Sequence, residues 1–334
     1  MKPASIWKIK FKPSVLIEAF CLLFLLFLLV LVNVSNNKKI AFFNNSDIYY
    51  EFNSALDIKN GINPYNKILK TNFVDNKKYA TLLPVYYYLI LIIEKFSGYS
   101  FVKFIFLMRF ILFTFEFLGA IFIYLYLARS RQRFVGYFGA AFYLFNVYTI
   151  NSYVFLKQDV IAITFLLASL YFFKSKIRLS YLLFGFSLGI KHIGIFILPY
   201  YFLPFIFKER KLKDFLQDLF CMVFPVLVPS FPFIFSNVRS FIYSMIFSLT
   251  RSSEQGNVVF GYANLLSSHS VLARLPLFIA SGFNLVIVIT KKIPPAFYIF
   301  TSFLIFSMFN PVIFDQYLVW VTALVFISIA DYLK

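Results

Sequence analysis

Long apolar runs separated by short basic clusters constrain this chain more than any other feature of its sequence. The first run, from about Val15 to Val32, is long enough to cross a bilayer as a helix, which rises about 1.5 Å per residue. A lysine-rich segment (2–12) precedes this run, and no small-residue cleavage site follows it. We therefore expect an uncleaved first membrane helix that begins in the cytoplasm.

The composition also indicates a membrane protein. Hydrophobic residues make up 61% of the 334 residues and charged residues only 14%, whereas a soluble domain is about one quarter charged. This balance excludes a soluble globular enzyme, a disordered chain and a fibrous repeat. It predicts an all-α, polytopic bundle of transmembrane helices, which we interpret as a single domain over residues 1–334.

Basic clusters predict the topology, because short cytoplasmic loops of membrane proteins are rich in Lys and Arg. The clusters lie at residues 2–12, 129–133, 174–178, 208–213, 291–292 and at Lys334. Successive cytoplasmic clusters must be joined by an even number of crossings, which predicts about ten spans with both termini in the cytoplasm. The predicted helices cover residues 14–32, 108–128, 134–149, 156–173, 179–190, 193–207, 216–235, 272–290, 296–309 and 317–332.

Two longer segments are then expected on the outer side, at residues 33–107 and 236–270. The first contains an apolar stretch from Leu82 to Ile93 that is short for a span, so it predicts an interfacial or re-entrant helix. The alternative is that this stretch does cross the membrane, which would place residues 129–133 on the outer side.

The net charge of +18 has two interpretations. Basic cytoplasmic loops alone can account for it, or it can also attract an anionic partner such as a phospholipid or a lipid-linked phosphate. No nucleic acid partner is expected, because the basic residues form short clusters between apolar runs. The sequence also lacks a nucleotide-binding glycine loop, a nucleophile elbow and a zinc motif.

Ionisable residues collect at the outer ends of the predicted helices, where they are functional candidates by default. These candidates and their polar neighbours are Asp47, Glu51, Arg109, Lys157, Asp159, Lys191, His192, Asp315 and Gln316. A mixed cluster of acids and cations around an outer cavity suits an anionic lipid substrate together with a proton acceptor.

The individual residues each allow a functional and a structural interpretation. Asp47 can be a general base for an acceptor hydroxyl, or a helix N-cap or solvated loop acid. Glu51, one turn further on, is a candidate second acid. Arg109, taken as the start of the second predicted span, suits phosphate oxygens or simply extends to the interface. Lys191 and His192 can stabilise a phosphate leaving group or form an ordinary turn.

Five motifs occur in order along the chain. The first outer segment carries Asp47-Ile-Tyr-Tyr, then Gly61-Ile-Asn-Pro-Tyr65, then Leu83-Pro84-Val-Tyr86. Later come Gly185-x-x-x-Gly189-Ile-Lys191-His192 and Asp315-Gln-Tyr317-x-x-Trp320. This set resembles the GT-C superfamily of integral-membrane glycosyltransferases, and its first part is similar to the bacterial polyprenyl-phosphate-mannose-dependent transferases of family 87. The chain departs from the pattern at Asp315, where the family often has His.

The resemblance implies a catalytic base and a donor site on the outer side of a bacterial plasma membrane. Asp47 would be the base, while Arg109, Lys191 and His192 would hold the phosphate of a polyprenyl-phosphate sugar donor. The remaining substrate-binding residues that it implies are Glu51, Lys157, Asp315, Gln316 and Tyr317. A single inverting displacement would transfer a hexose such as mannose to a glycan or lipid acceptor. No cofactor and no metal are implied, because fixed cations can stabilise the phosphate.

Two other functions are compatible with the same residues. A transporter or flippase would move a lipid phosphate through a similar cationic cavity without chemistry, but the sequence shows no internal repeat. A non-catalytic membrane scaffold would leave the cluster of charged residues at the outer face unexplained. The glycosyltransferase is therefore the leading hypothesis from the sequence.

Overall fold

The computed structural model describes residues 13–70, 80–129, 133–250, 274–290, 293–310 and 314–332. These residues form 13 α-helices and three 3-10 helices, with no strand among them, which confirms the all-α prediction for this part of the chain. The α-helices are α1 (Pro13–Ser35), α2 (Asp47–Lys59), α3 (Pro84–Phe96), α4 (Phe101–Ala128), α5 (Arg133–Phe145), α6 (Val147–Val154), α7 (Asp159–Phe172), α8 (Ile177–Ile190), α9 (Leu198–Ile206), α10 (Leu212–Thr250), α11 (Leu275–Ile289), α12 (Pro295–Phe309) and α13 (Asp315–Tyr332). The 3-10 helices are Ile40–Asn45, Pro64–Lys70 and His192–Ile197.

Two of these helices, α4 and α10, are long and apolar enough to cross a membrane. Several other apolar helices are shorter. For example, α7 and α8 have 14 residues each and extend about 21 Å, less than the roughly 30 Å hydrocarbon core of a bilayer. Length and composition thus support a membrane protein, while the count of ten spans stays a prediction.

Helix α1 and the residues up to Asn37 form one compact unit, and the chain from Lys38 onward forms another. Many of the apolar side chains of α1 are exposed, for example those of Phe20, Leu23 and Val34, with exposed fractions of 68%, 62% and 64%. A helix with an apolar surface of this kind suits contact with lipid. The interpretation of the whole chain as a single domain stays a prediction.

The second unit is built around α8, which packs against both α7 and α10. Helix α4 packs against α5 and α7, and α13 contacts α5, α6, α7 and α12. The segment before α4 is folded onto this bundle, because α2 packs on α3 and α3 in turn contacts α4, α8 and α10. The short helices α2 and α3 are therefore fixed against the bundle.

Two glycines allow other elements to approach α8 closely. A Cβ atom added at Gly185 would lie 2.1 Å from the carbonyl oxygen of Met222 in α10, and one at Gly189 would lie 2.5 Å from Cγ2 of Val85 in α3. Both distances are shorter than any van der Waals contact between such atoms. Helices α10 and α3 therefore reach their positions because α8 has no side chains at these two points.

Helix α4 begins earlier than the sequence predicts. It starts at Phe101 and not near residue 108, so the expectation that Arg109 opens this helix is wrong. The helix continues through this stretch because residues 101–107 are apolar except for Lys103, whose exposed side chain can keep its charge at the surface. Arg109 therefore lies about two turns inside α4.

Two other predicted helices differ from the prediction. One is interrupted by an asparagine, and the other begins as a 3-10 helix. The predicted helix 134–149 breaks at Asn146, whose side chain accepts hydrogen bonds from the backbone N–H groups of Tyr148 and Thr149 and caps α6. The predicted helix 193–207 begins as a 3-10 helix and continues as α9. Helix α3 has 13 residues, which agrees with the short helix predicted at residues 82–93.

The predicted outer segment 236–270 is helical in its first part, where α10 continues to Thr250, and its position outside the membrane stays a prediction. The chain departs from helical angles at Asn237, with φ −164° and ψ 90°. The side-chain oxygen of Asn237 then accepts a hydrogen bond from the N–H of Ser240 at 3.1 Å, which restarts the helix. Residues 251–270 lie outside the described residues, as do the basic clusters at 2–12 and 291–292.

The substitution Gly185→Ala should lower the midpoint of thermal unfolding in detergent, because the new methyl group meets the backbone of α10. We expect a loss of about 1–3 kcal/mol, the usual cost of overpacking. Gly282→Ala in α11 is the control, since its Cβ would meet no atom within 4 Å. An unchanged midpoint for Gly185→Ala would contradict the close approach of α8 and α10.

Candidate functional site

The accessible part of the site is an ion pair between Asp47 and Lys157. Asp47 is the first residue of α2 and follows Ser46, whose extended backbone precedes the helix. Its Oδ2 atom lies 2.5 Å from Nζ of Lys157, and 47% of the Asp47 side chain is exposed. The carboxylate is thus paired with a cation and still open to a reactant.

A tight turn between α6 and α7 places Lys157 beside Asp47. Leu156 has a φ of 54°, in the left-handed region that bulky side chains rarely adopt. Its side chain is buried, and the N–H of Lys157 donates to the carbonyl of Ser152 at 2.7 Å. This strained turn reverses the chain and brings Lys157 and Asp159 to the start of α7.

The buried part of the site is an ion pair between Asp159 and Lys191. Asp159 has no exposed surface, and its Oδ2 atom lies 3.3 Å from Nζ of Lys191. Its Oδ1 atom accepts a hydrogen bond from Nε1 of Trp320 at 2.9 Å. Lys191 follows α8 in an extended conformation and also lies 5.6 Å from the ring centroid of Tyr317.

Glu51 connects the accessible and buried ion pairs. It lies one turn after Asp47 in α2, so both carboxylates are on the same face of the helix. Tyr86 of α3 donates a hydrogen bond to Oε2 of Glu51 at 2.6 Å. The charges of Asp47, Lys157 and Lys191 all act on Glu51, which places these four residues in one electrostatic site.

Glu51 is protonated in part at neutral pH. The pKa of its carboxyl group is raised from 4.5 to about 7. Burial is the main cause and the charge of Asp47 adds to it, while the Tyr86 hydrogen bond, Lys157 and Lys191 oppose it. A carboxyl group with a pKa close to the ambient pH can take up or release a proton. The site therefore combines two carboxyl groups in different environments.

We call these five residues the acid–lysine cluster: Asp47, Glu51, Lys157, Asp159 and Lys191. They come from α2, from the turn before α7, from the start of α7 and from the end of α8. From the sequence, these residues are expected to share one end of the bundle. Chemically, the cluster offers an accessible carboxylate, a carboxyl group that titrates near neutral pH, and two lysines held in place by acids.

Arg109 contacts the segment that leads into α2. Its guanidinium donates to the backbone carbonyl of Lys38 and lies 5.6 Å from the ring centroid of Phe43. It therefore anchors the chain a few residues before Asp47. Its predicted contact with a donor phosphate stays a prediction, as does that of His192, which begins the 3-10 helix directly after Lys191.

Asp315, Gln316 and Tyr317 open α13. Tyr317 contacts the acid–lysine cluster through Lys191. Asp315 is exposed and Gln316 is partly exposed at the start of the helix. Their roles in substrate binding stay predictions.

Several residues around the site were not predicted to take part in it. Asp159 is among the ionisable candidates of the sequence but lies outside the predicted binding set, and Tyr86 belongs to a motif without a predicted role of its own. Two acids were missed, Glu94 in α3 and Glu116 in α4, and both side chains are fully buried. A single acid within an apolar run is the signal that could have identified them.

The described residues contain no group of three or more His, Cys, Asp or Glu side chains that could hold a metal ion. Comparison with models of known protein families found no match, and no curated protein matches the chain. The geometry of the acid–lysine cluster is therefore the main evidence for a function.

Glu51→Gln should flatten the dependence of stability on pH. The pKa of Glu51 is higher in the folded chain, at about 7, than its ordinary value of 4.5. The folded state therefore binds the proton more tightly, so the stabilisation from this group is complete at low pH and is lost as the pH rises from about 5 to about 8. Thermal unfolding midpoints across this range should show the loss in the original protein and not in the variant.

Two further variants test the cause of this titration. Asp47→Asn should move the transition of Glu51 to lower pH, because the charge of Asp47 raises its pKa. Glu209→Gln, at an exposed acid outside the cluster, should leave the profile unchanged. If Glu51→Gln has the same profile as the original protein, Glu51 does not titrate in this range.

Proposed function

We propose that this chain is a membrane glycosyltransferase that moves a hexose, with mannose as the leading candidate, from a polyprenyl-phosphate donor to a glycan or lipid acceptor. The observation that carries this proposal is the pairing of accessible Asp47 with Lys157, one helical turn from Glu51, on which the charge of Lys191 also acts. Sugar transfer from a phosphate requires a proton acceptor next to fixed positive charge, and the cluster supplies both.

In the proposed reaction, the Asp47 carboxylate takes the proton of the acceptor hydroxyl as its oxygen attacks the anomeric carbon. The bond between the anomeric carbon and the phosphate oxygen breaks, and its electron pair leaves with the polyprenyl phosphate. Lys157 and Lys191 stabilise the negative charge on that leaving group. A single displacement of this kind inverts the configuration at the anomeric carbon.

Glu51 supports Asp47 in this scheme. Its carboxyl group is held by Tyr86 and has a pKa of about 7, so at neutral pH it can exchange protons with a neighbouring group. Because Glu51 and Asp47 lie on the same helix face, a proton taken up by Asp47 has a nearby acceptor. Glu51 is thus the second acid of the site.

The proposal includes a multi-pass arrangement of about ten spans with the acid–lysine cluster on the extracytoplasmic side of a bacterial plasma membrane. The two long apolar helices support it, as does the placement of the basic cluster 174–178 at the end of α8 opposite Lys191. Short helices such as α7 and α8 suit positions that are lined by protein and not by lipid.

Asp47→Asn should abolish most sugar transfer but leave donor binding in place. Loss of a general base lowers turnover by about 100-fold or more, while Lys157 and Lys191 remain to hold the phosphate. The assay uses the purified protein with a polyprenyl-phosphate mannose donor and membrane-derived acceptor, and binding is measured separately with the same donor. Asp57→Asn is the matched control, because Asp57 lies in the same helix and pairs with Lys67 outside the cluster.

Equal activity of Asp47→Asn and the Asp57 control would contradict the assignment of Asp47 as the base. A protein that moves the donor lipid across vesicles but transfers no sugar, with or without Asp47, would instead be a flippase. The first result would overturn the role of Asp47, and the second would overturn the transferase proposal.

The topology can be tested by thiol labelling in intact cells. In a background with Cys21→Ser and Cys221→Ser, a cysteine placed at Asn63, which follows α2, should react with a membrane-impermeant reagent from outside. A cysteine placed at Lys174, in the exposed turn between α7 and α8, should react only after the membrane is permeabilised. The reverse pattern would place the acid–lysine cluster on the cytoplasmic side.

A further inference from the structure

Two adjoining clefts lie where α8 and α10 begin. The larger, about 710 Å³, is lined by Arg178 and Lys213 together with apolar residues of α10. The smaller, about 360 Å³, is lined by Lys176, Arg178, Arg210 and Asp214. Arg178 lines both clefts, so they form one continuous surface with an apolar part and a cationic part.

A buried acid holds the arginines of this surface in position. Asp218 has no exposed surface, and its Oδ2 atom accepts hydrogen bonds from Nη2 and Nε of Arg210 at 2.6 and 3.1 Å. Nε of Arg178 lies 3.9 Å from the other oxygen of Asp218, and its Nη2 donates to Gln217. Asp218 is thus neutralised within the protein, and Lys176 and Lys213 remain exposed on the two clefts.

The apolar part is a strip along α10. Leu212, Leu216 and Phe220 are spaced by four residues and so lie on one face, and they are 57%, 53% and 66% exposed. Phe224 continues the strip at 47% exposure. This strip runs along a helix that is long and apolar enough to cross a membrane, and it begins beside the cations of the clefts.

The surface is separate from the acid–lysine cluster. Arg178 is the second residue of α8, whereas Lys191 follows its last residue, so the two sites lie about 20 Å apart along the helix. A ligand at the clefts therefore does not occupy the proposed catalytic site.

We propose that these clefts bind an anionic glycerophospholipid, with its phosphate at Lys176, Arg178 and Lys213 and an acyl chain along the apolar strip of α10. The complementarity of charge supports this occupant. Four cations line the clefts, against the two acids Asp214 and Asp218, which leaves an excess of two positive charges. The continuity of the cationic and apolar parts supports an amphiphile over a free anion. Basic pockets between membrane helices bind anionic lipid head groups in this way.

Native mass spectrometry of the purified full chain in detergent tests this site. Dioleoyl phosphatidylglycerol and dioleoyl phosphatidylcholine, which have the same acyl chains, are titrated separately. We expect tighter binding of phosphatidylglycerol, and a loss of about tenfold or more for the double variant Lys176→Gln, Lys213→Gln. These two lysines are outside the Asp218 ion pairs, so their replacement leaves the buried contacts intact.

The matched control is Lys174→Gln with Lys211→Gln, which removes the same charge from exposed lysines that do not line the clefts. Equal losses in the two double variants would overturn the proposal, because the attraction would then be a general effect of surface charge. Equal affinity for the two lipids would also overturn it. Glycerol 1-phosphate should compete poorly, and competition as strong as that of phosphatidylglycerol would show that the apolar strip takes no part.

Discussion

The site depends on the neutralisation of a buried carboxylate, Asp159. An ionised side chain without exposed surface would cost several kcal/mol unless it were paired and hydrogen-bonded. Its two oxygens contact Lys191 and Trp320, and the Trp320 ring packs against Phe303 of α12 with centroids 4.9 Å apart. Asp159 is thus the point at which the start of α7, the end of α8 and the side of α13 meet. Lys191 is therefore positioned by a buried ion pair and not by a free loop.

The close approach of α3 to α8 connects this buried pair to the accessible acids. Because Gly189 has no side chain, Val85 can lie against the end of α8, and the next residue, Tyr86, reaches Glu51. Glu51 lies one turn from Asp47, which pairs with Lys157. Lys157 is two residues from Asp159 in sequence, so the contacts form a closed circuit through α2, α3, α7 and α8. A shift of one of these elements would change the distances at all the others.

The apolar runs and basic clusters predicted most helices, because a long apolar run leaves few alternatives to a helix. Helix boundaries near single polar residues were less predictable. Lys103 lies inside α4, whereas the side-chain hydrogen bonds of Asn146 and Asn237 interrupt helices. In the site, Lys157 and Lys191 were predicted at the outer end because each lies between two apolar runs, and Asp47 because it lies in the segment after the first run. The partners of Asp159 could not be predicted, because Trp320 is 161 residues away and its position depends on how α13 packs. No pattern in the sequence indicates the contact between Arg109 and a backbone carbonyl either.

In the proposed reaction, the donor phosphate and the carboxylates of the site would compete for the two lysines. In the structure, Lys157 neutralises Asp47 and Lys191 neutralises Asp159. A donor phosphate that drew Lys157 toward itself would remove the cation from Asp47, and a carboxylate without a neighbouring cation is a stronger base. The same movement would raise the pKa of Glu51, since Lys157 lowers it. Binding of the donor would thus strengthen the base before attack, while Asp159, which is fully buried, keeps Lys191 in place.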